Sequence, residues 1–562
     1  MSEPVSTGPA PSSAEITARL KAPGFTSAAS AELGPPPDLT LAPVPTAVTA
    51  FVGRTLKGPV AEPVRVASFA QYQQLFGGLW QPSPVSYAVE QFFESGGEEA
   101  VIVRVISGGA APTLDLPCGA ELLTLQGRCP GSREYLRASV DYDGLYGATD
   151  ASQFNLVIQR VRSAGSELVE EQEIHRRLST DLESPRHVTT VLDESRLVRV
   201  VGAVPPVRPD ITLPANPRAL VGYAAGNFDG DDGAPLSDYD LIGSEQQHTG
   251  LHALAGADYF SLLCIPPLTR ELDIGMSTLL VAARLCRRLH ALLIVDPPAC
   301  WSTAGQALDG MRRWAFHSQD ALMYFPRLQV HDKLRGRTET FAPCGAVAGM
   351  LARRDRLLPV WLLERGDEVP LRPGFRPACA LNALERGMLA HYGVNSFAMG
   401  RPDEIAPGLP ARSLAATLGA AREPRLLAGR RLASLVTASI ERGTRWILFG
   451  TRDTTRRAQL GLQVLMLLEG LAAEGAFAAG TRSYFVICDE RLNGAGAGAP
   501  GEFRLLFGYA PLREGEFTAF LTTHRPGGSD TRSVSVSRLA TVGDRVDFEV
   551  QTSIRQAGTL GP

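Results

Sequence analysis

Hydrophobic and polar positions change their spacing several times along this chain, and each change predicts a different element. The densest pattern lies between Thr444 and Thr522. Trp446 to Phe449 reads as a short strand. Leu460, Val464, Leu467 and Leu471 then recur at helical spacing, which predicts a helix over about Arg456 to Leu471. Leu462, Leu465, Met466 and Leu468 fill most of its other faces, so the helix is expected to be covered on nearly every side. Strands follow at Tyr484 to Cys488, Phe503 to Tyr509 and Phe517 to Thr522, with polar turns between them. A small sheet on one apolar helix leaves strand edges open, and open edges recruit strands from other chains.

Upstream, residues 1–47 are rich in Pro, Ala and Ser and read as an extended arm. Within it, Pro23-Gly24-Phe25 opens a segment that can form one short strand on a partner's edge. Order begins at Thr46 to Gly53, a strand ending in Gly, with a second strand at Pro63 to Val66. Ser68 caps a helix that Gly77-Gly78 ends, and Ser83-Pro84 opens another that stops at Gly96-Gly97. Ala100 to Ile106 is apolar enough for an inner strand of a sheet. From Pro112 to Val204 short alternating segments (Phe154 to Val161, Val188 to Leu192, Leu197 to Val201) predict a separate β-rich domain.

The stretch from Val204 to Pro235 reads as a Pro/Gly/Asp-rich connection, followed by a βαβ unit. Its parts are a strand at Tyr259 to Pro266, a helix over Met276 to Leu289 and a strand from Ala291 to Asp296. Met311 to Phe325 and Gly345 to Ala352 continue the α/β pattern, and Ala421 to Gly443 predicts a helix. After Ser529 the chain alternates around Val534 and Val536, and again from Val546 through Phe548 to Val550, as strands without an obvious local core.

A length of 562 residues suggests three or four domains, and a 44% hydrophobic content is enough for full cores. A net charge of −4 gives no electrostatic reason to expect nucleic acid. No window has the roughly 18 uncharged apolar residues of a membrane span. The N-terminus lacks the basic start and apolar run of a secretory signal, and eight cysteines without a C-x-x-C pair read as buried thiols in a reducing compartment. Synthesis in the cytoplasm is therefore expected.

Candidate chemistry is sparse. The glycines at 494, 496, 498 and 501 precede a strand, whereas a phosphate loop must lead into a helix N-terminus. Asn227, Asp229, Asp231, Asp232 and Asp238 imitate part of a calcium loop. The sixth position is Asp232 and the twelfth Asp238, so a solvated turn is favoured over a weak cation site. His248 and His252 share helical spacing without an HExxH pattern. Asp296-Pro297-Pro298 sits at a strand end, where α/β enzymes hold ligands, yet without a glycine-rich turn it reads as a strand stop. Cys344 has no histidine near it in sequence and reads as a buried small residue at a tight turn. Neither G-x-S-x-G nor a Walker lysine occurs.

An ordered series of short motifs carries a resemblance. Phe51-Val-Gly-Arg54, Gly58-Pro, Ser68-Phe, Leu75-Phe-Gly-Gly78, Gln91-Phe-Phe-Glu-Ser-Gly-Gly97 and Val103-Arg-Val105 come first. Leu263-Cys-Ile-Pro-Pro267, Asp296-Pro-Pro, Pro343-Cys-Gly-Ala-Val-Ala-Gly349, Phe485-Val-Ile-Cys-Asp489 and Ala510 to Phe517 follow. Over residues 46–522 this order is similar to contractile tail sheath proteins of phages, tailocins and phage-tail-like injection systems. The resemblance implies an α/β (α+β) multidomain chain in five parts. They are an N-terminal arm (1–47), a central α/β domain (48–111 and 205–420), an outer β-rich insertion (112–204), an inner α/β domain facing a tube (421–528) and a C-terminal arm (529–562).

It further implies a structural subunit with no catalytic activity, cofactor or metal. Its partners are expected to be copies of itself in a helical stack of six-fold rings, an inner tube protein, and baseplate and terminator or cap proteins, without nucleic acid or membrane contact. The assembled particle is a virion tail or a phage-tail-like device. Pro23, Gly24, Phe25, Val534, Val536, Phe548 and Val550 are the candidate strand-exchange residues. Arg452, Arg456 and Arg457 are the candidate tube-facing ones. Three departures stand out: the weak Pro23-Gly-Phe-Thr-Ser-Ala-Ala arm strand, the basic Phe449-Gly-Thr-Arg-Asp453 in place of an acidic segment, and a longer tail. The competing readings are an α/β nucleotide- or small-molecule-binding enzyme using residues 259–298, and a baseplate- or cap-proximal sheath variant.

Overall fold

The computed structural model describes residues 40–145, 151–214, 221–365, 371–397, 411–415, 426–449, 454–479, 483–493, 501–511, 517–534, 539–542 and 545–548. The chain forms two compact units, Pro45–Arg431 and a second made of the residues from Leu432 onward with those up to Val44.

The first unit is built on a seven-stranded sheet. Thr49–Gly53 runs parallel to Ala100–Arg104 on one side and to Leu262–Cys264 on the other. Leu292–Val295, Ala321–Phe325 and Val394–Ser396 extend the sheet in parallel, and Val64–Val66 closes the opposite edge antiparallel. Runs such as Leu-Leu-Ile-Val and Ala-Leu-Met-Tyr-Phe are buried at every position, because helices cover both faces. Ala50, Val52, Val103, Leu263 and Leu293 face helices Met276–Leu289, Ala304–Arg313 and Ala383–His391. Phe51, Ile102, Leu262 and Ile294 face helices Pro84–Ser95 and Cys344–Asp355.

Local signals set the helix ends as the sequence predicts. The Ser68 side chain caps Phe69–Phe76 and Ser83 caps Pro84–Ser95, and Gly77 and Gly96 close them in the left-handed conformation. Where Pro84–Ser95 and Cys344–Asp355 cross, the backbones touch. A Cβ on Gly345 would stand 1.9 Å from the Ala88 carbonyl oxygen, and one on Gly349 2.3 Å from that of Phe92. That close approach is the physical content of the Pro343-to-Gly349 motif.

Residues 113–201 form two antiparallel sheets around one core. Thr113–Cys118, Glu121–Gly127 and Val198–Val201 make the first; Tyr135–Asp141, Gln153–Val161 and Val169–Ser179 make most of the second. Leu114, Leu125, Leu136, Val140, Leu156 and Ile158 point into the space between them. Two expectations fail here. Val188–Leu192, expected as a strand, is a helical turn. The segment after Val204 is more than a connection, since Ala224–Ala225 adds a fourth strand beside Tyr135–Asp141.

In the second unit Trp446 to Phe449 is no strand; Arg445–Leu448 is a 3₁₀ turn directly after helix Leu427–Gly443. The following helix spans Thr454–Ala473 and is covered on one side only. Leu460, Val464, Leu467, Leu468 and Leu471 are buried, while Met466 is 41% exposed. Among the described residues the sheet has four strands: Tyr484–Ile487, Phe503–Tyr509, Thr518–Arg525 and Gly528–Val534.

Candidate functional site

The four-stranded sheet of the second unit is held from within by Ile487, Leu506 and Leu521 and by the stacked rings of Phe477 and Tyr509, 4.8 Å between centroids. Its outer strands, Tyr484–Ile487 and Gly528–Val534, are each paired on one side alone among the described residues. Outer strands of a small sheet are the kind of edge that the apolar pattern anticipates.

The candidate exchange residues fall differently. Val534 is not part of an orphan strand: it ends Gly528–Val534 and stands opposite Ala519 within the same sheet. Phe548 ends a hairpin strand opposite Leu539, and that hairpin, Leu539–Val542 with Arg545–Phe548, pairs with itself. The stretch after Ser529 therefore begins as an intramolecular hairpin, because Pro526-Gly527-Gly528 permits the tight reversal the alternation alone does not reveal. Pro23, Gly24, Phe25, Val536 and Val550 lie outside the described residues.

Arg456 and Arg457 occupy the first turn of Thr454–Ala473, both half-buried; Arg452 lies outside the described residues. Arg456 Nη1 donates to the Phe449 carbonyl (3.2 Å), and the Arg457 carbonyl accepts from Cys488 Sγ (3.3 Å). No acidic residue sits in that first turn, so two cations face the positive end of the helix dipole. Asp489 and Glu490 lead into a helical turn, Glu490–Asn493, whose Asn493 amide bonds the Cys488 and Arg504 carbonyls.

At the C-terminal ends of the parallel strands, where an α/β enzyme holds its ligand, the space is taken by the chain's own groups. Asp296 Oδ1 accepts from the Cys344 backbone N–H (2.8 Å), capping helix Cys344–Asp355, and Cys344 is its buried first residue. Burial pushes the Asp296 carboxyl up to about 6. Arg327 donates from Nε to the Pro297 carbonyl (2.9 Å) and pairs through Nη2 with Asp273. Arg270 lies over the rings of Tyr87 and Phe341, 4.9 and 4.7 Å from their centroids, and pairs with Asp332 and Glu339.

Asn227, Asp229 and Asp231 are exposed, as expected of a solvated turn, while Asp229, Asp232 and Asp238 also bond distant parts of the chain. Asp229 accepts from the Thr113 amide and hydroxyl, 2.7 Å each. Asp232 does the same for Ser132 at 2.8 Å, and Asp238 Oδ1 accepts from Gly275 N at 2.7 Å. Among the described residues no group of three or more His, Cys, Asp or Glu side chains could hold a metal ion, and no helix is long and apolar enough to cross a membrane.

One cluster escaped the sequence reading. Lys57, Arg104, Glu134, Arg160 and Glu170 meet in a buried group where the β-rich part joins the central sheet. The available signal was Arg104 itself, a cation inside the apolar run Ala100 to Ile106.

The chain shares its fold with a sheath tail protein of known structure. No family model matches the chain, and no curated protein does. Among solved structures it is similar to the sheath tail protein of Listeria innocua. That likeness has a TM-score of 0.55 and 12% identity, over 87% of this chain and 97% of that one. It is also similar to the sheath tail protein of Desulfitobacterium hafniense (TM-score 0.47, 12% identity, 88% of this chain and 100% of that one). A further similarity is to the contracted sheath complex of an extracellular contractile injection system (TM-score 0.45, 15% identity, 87% and 95%).

Proposed function

We propose that this chain is the structural subunit of a contractile sheath. It polymerises as six-fold rings around an inner tube, and the stack shortens to drive that tube through a target envelope. The observation that carries the reading is the shared fold over nearly the whole of both chains, 87% of this one and 97% of the Listeria sheath tail protein. The outer strands of the four-stranded sheet, each paired on one side among the described residues, support it, since strands lent by neighbours can add to such a sheet and contacts that do not close on themselves build helical tubes. The ion pairs filling the crevice of the central sheet agree with a structural role rather than a catalytic one.

In this reading the β-rich domain faces outward and the unit after Leu432 faces the tube. The baseplate and a terminator or cap bound the stack, inside a virion tail or a phage-tail-like particle. Arg456 and Arg457 oppose the dipole of their own helix, each at a cost of about 0.3–1 kcal/mol. A tube protein carrying carboxylates opposite this basic turn is the partner expected in this reading. Shortening is a rearrangement of rigid subunits between two packings and draws on no cofactor.

Electron microscopy of the purified full chain beside a variant ending at Val534 tests the proposal. The full chain is expected to give tubes and the truncated one folded particles that do not polymerise. Tubes from both, or from neither at high concentration, would sink it. Charge reversal of Arg456 and Arg457 to Glu is expected to abolish co-sedimentation with the tube protein.

A further inference from the structure

Arg104 is 1% exposed, and a cation at that depth must be matched by polar groups. Its partners connect two parts of the chain. Arg104 Nη1 donates to the Gly58 carbonyl (2.6 Å), in the segment that follows strand Thr49–Gly53. The Gly58 amide donates in turn to Glu134 Oε1 (3.4 Å), which belongs to the β-rich domain. Beside it Lys57 and Glu170 form an ion pair with side chains only 8% and 9% exposed. Arg160 closes the group, with Nη2 donating to Glu171 Oε2 (2.7 Å) and Nη1 3.8 Å from Glu134 Oε2. Gly58 itself is wedged: φ is +104°, and a Cβ would lie 2.7 Å from the Phe76 ring and 2.9 Å from the Leu75 carbonyl oxygen.

The covalent attachment of the same domain is slender. Its two crossings pair as a ribbon through Ser107 with Ala234 and Ala110 with Asp231. Asp229 and Asp232 fasten Thr113 and Ser132 at its upper end, and Arg54 Nη2 donates to the Asp232 and Gly233 carbonyls at 3.1 and 2.9 Å. A two-stranded ribbon by itself is marginally stable and does not fix an angle.

We infer that the segment Arg54–Gly58 is a lock that fixes the β-rich domain at one angle on the central sheet, so that the two turn as one body. Ion pairs buried this way add little net stability, because opening returns the charges to water. Their effect is selective. Any other docked angle parts Lys57 from Glu170 and the Gly58 amide from Glu134, leaving Glu170 only the looser Arg162 (3.9 Å) of its own domain, so one angle is favoured. The lock belongs to the single subunit and is independent of what that subunit assembles into.

Amide hydrogen exchange on the full chain reads it out. Lys57→Met leaves the Glu170 carboxylate with only the largely exposed Arg162 at 3.9 Å, and exchange at the amides of Ala110, Asp231 and Ala234 in the ribbon is expected to rise about tenfold or more, with Leu292–Val295 unchanged. The double variant Lys57→Met with Glu170→Leu is expected to return the stem to within about threefold of the parent. Should Lys57→Met fail to fold, Glu170→Gln is read the same way. Unchanged stem exchange in the single variant, an equal rise in Leu292–Val295, or a double variant that is as fast as the single or does not fold overturns the inference.

Discussion

Arg431 and Asp355 meet in a buried ion pair, Nη1 donating to Oδ1 at 2.7 Å, and the same carboxylate accepts from the Thr46 hydroxyl at 2.6 Å. Arg431 Nη2 also reaches the Thr46 carbonyl at 2.9 Å. Thr46 and Arg431 stand next to the two ends of the Pro45–Arg431 unit, so one aspartate gathers both places where the chain leaves it. Asp355→Ala removes the counter-ion of a guanidinium that is 3% exposed. The expected cost is about 3–5 kcal/mol, seen in urea unfolding of the unit and as new protease sites near residues 45 and 431. Wild-type unfolding in that variant would show the cluster to be incidental.

Gly345 tests the helix crossing. Gly345→Ala places a methyl group against the Ala88 backbone, which cannot retreat as a flexible side chain can. Overpacking of this kind costs about 1–3 kcal/mol, and here the upper end or beyond is expected. Gly305→Ala, at a helical position whose nearest neighbour is 4.0 Å away, serves as the control and should leave the melting temperature unchanged or higher.

The parallel sheet was legible because its strands are apolar at nearly every position, a signature that survives without knowing the neighbours. Helix ends at Ser68, Ser83, Gly77 and Gly96 were legible because their chemistry is local. Trp446 to Phe449 misled because a four-residue apolar run carries no period; only the preceding helix makes it a 3₁₀ turn. The bonds that Asp229 and Asp232 make were not legible because their partners, Thr113 and Ser132, lie 116 and 100 residues away. The lock at Lys57 and Glu170 was hidden for the same reason. A short helix-backed sheet could be anticipated, whereas the hairpin that takes Val534 back onto it could not.

His524 makes the second unit acid-sensitive. It is fully buried between Thr444 Oγ1, 2.8 Å from Nε2, and Ser529 Oγ, 2.7 Å from Nδ1. Burial lowers its pKa to about 4, with Glu441 acting in the opposite direction and Arg445 with it. The unfolded chain binds the proton from pH ~6.5 downward while the folded one resists until pH ~4. Stability is therefore full above the unfolded value and falls as pH drops through that window, by about 3 kcal/mol in all. His524→Gln keeps both hydrogen-bonding partners within reach and removes the titration. Its melting temperature relative to the parent should improve steadily from pH 7 to pH 5. A gap that does not change with pH contradicts the assignment.

Asp296 works in the opposite sense, in the other unit. Its carboxyl is fully buried and raised to about 6, chiefly by desolvation, with the Cys344 hydrogen bond and the Arg327 charge opposing. Among the described residues Oδ2 meets no hydrogen-bond donor, so the ionised form carries one lone oxygen without compensation. The folded state holds the proton more tightly than the unfolded chain, whose carboxyl ionises near pH 3.9. The stability that this proton confers is complete below the unfolded value and is lost as pH rises through about 6, leaving a penalty of about 3 kcal/mol at neutral pH. Asp296→Asn retains an oxygen for the Cys344 amide and cannot ionise. Measured against the parent, the variant should gain about 3 kcal/mol between pH 4 and pH 7.5, in the unfolding transition of the Pro45–Arg431 unit alone. His524 gains stability with rising pH in one unit and Asp296 loses it in the other, so the two contributions run in opposite directions across pH 4 to 6. The two variants are what separate the opposing contributions.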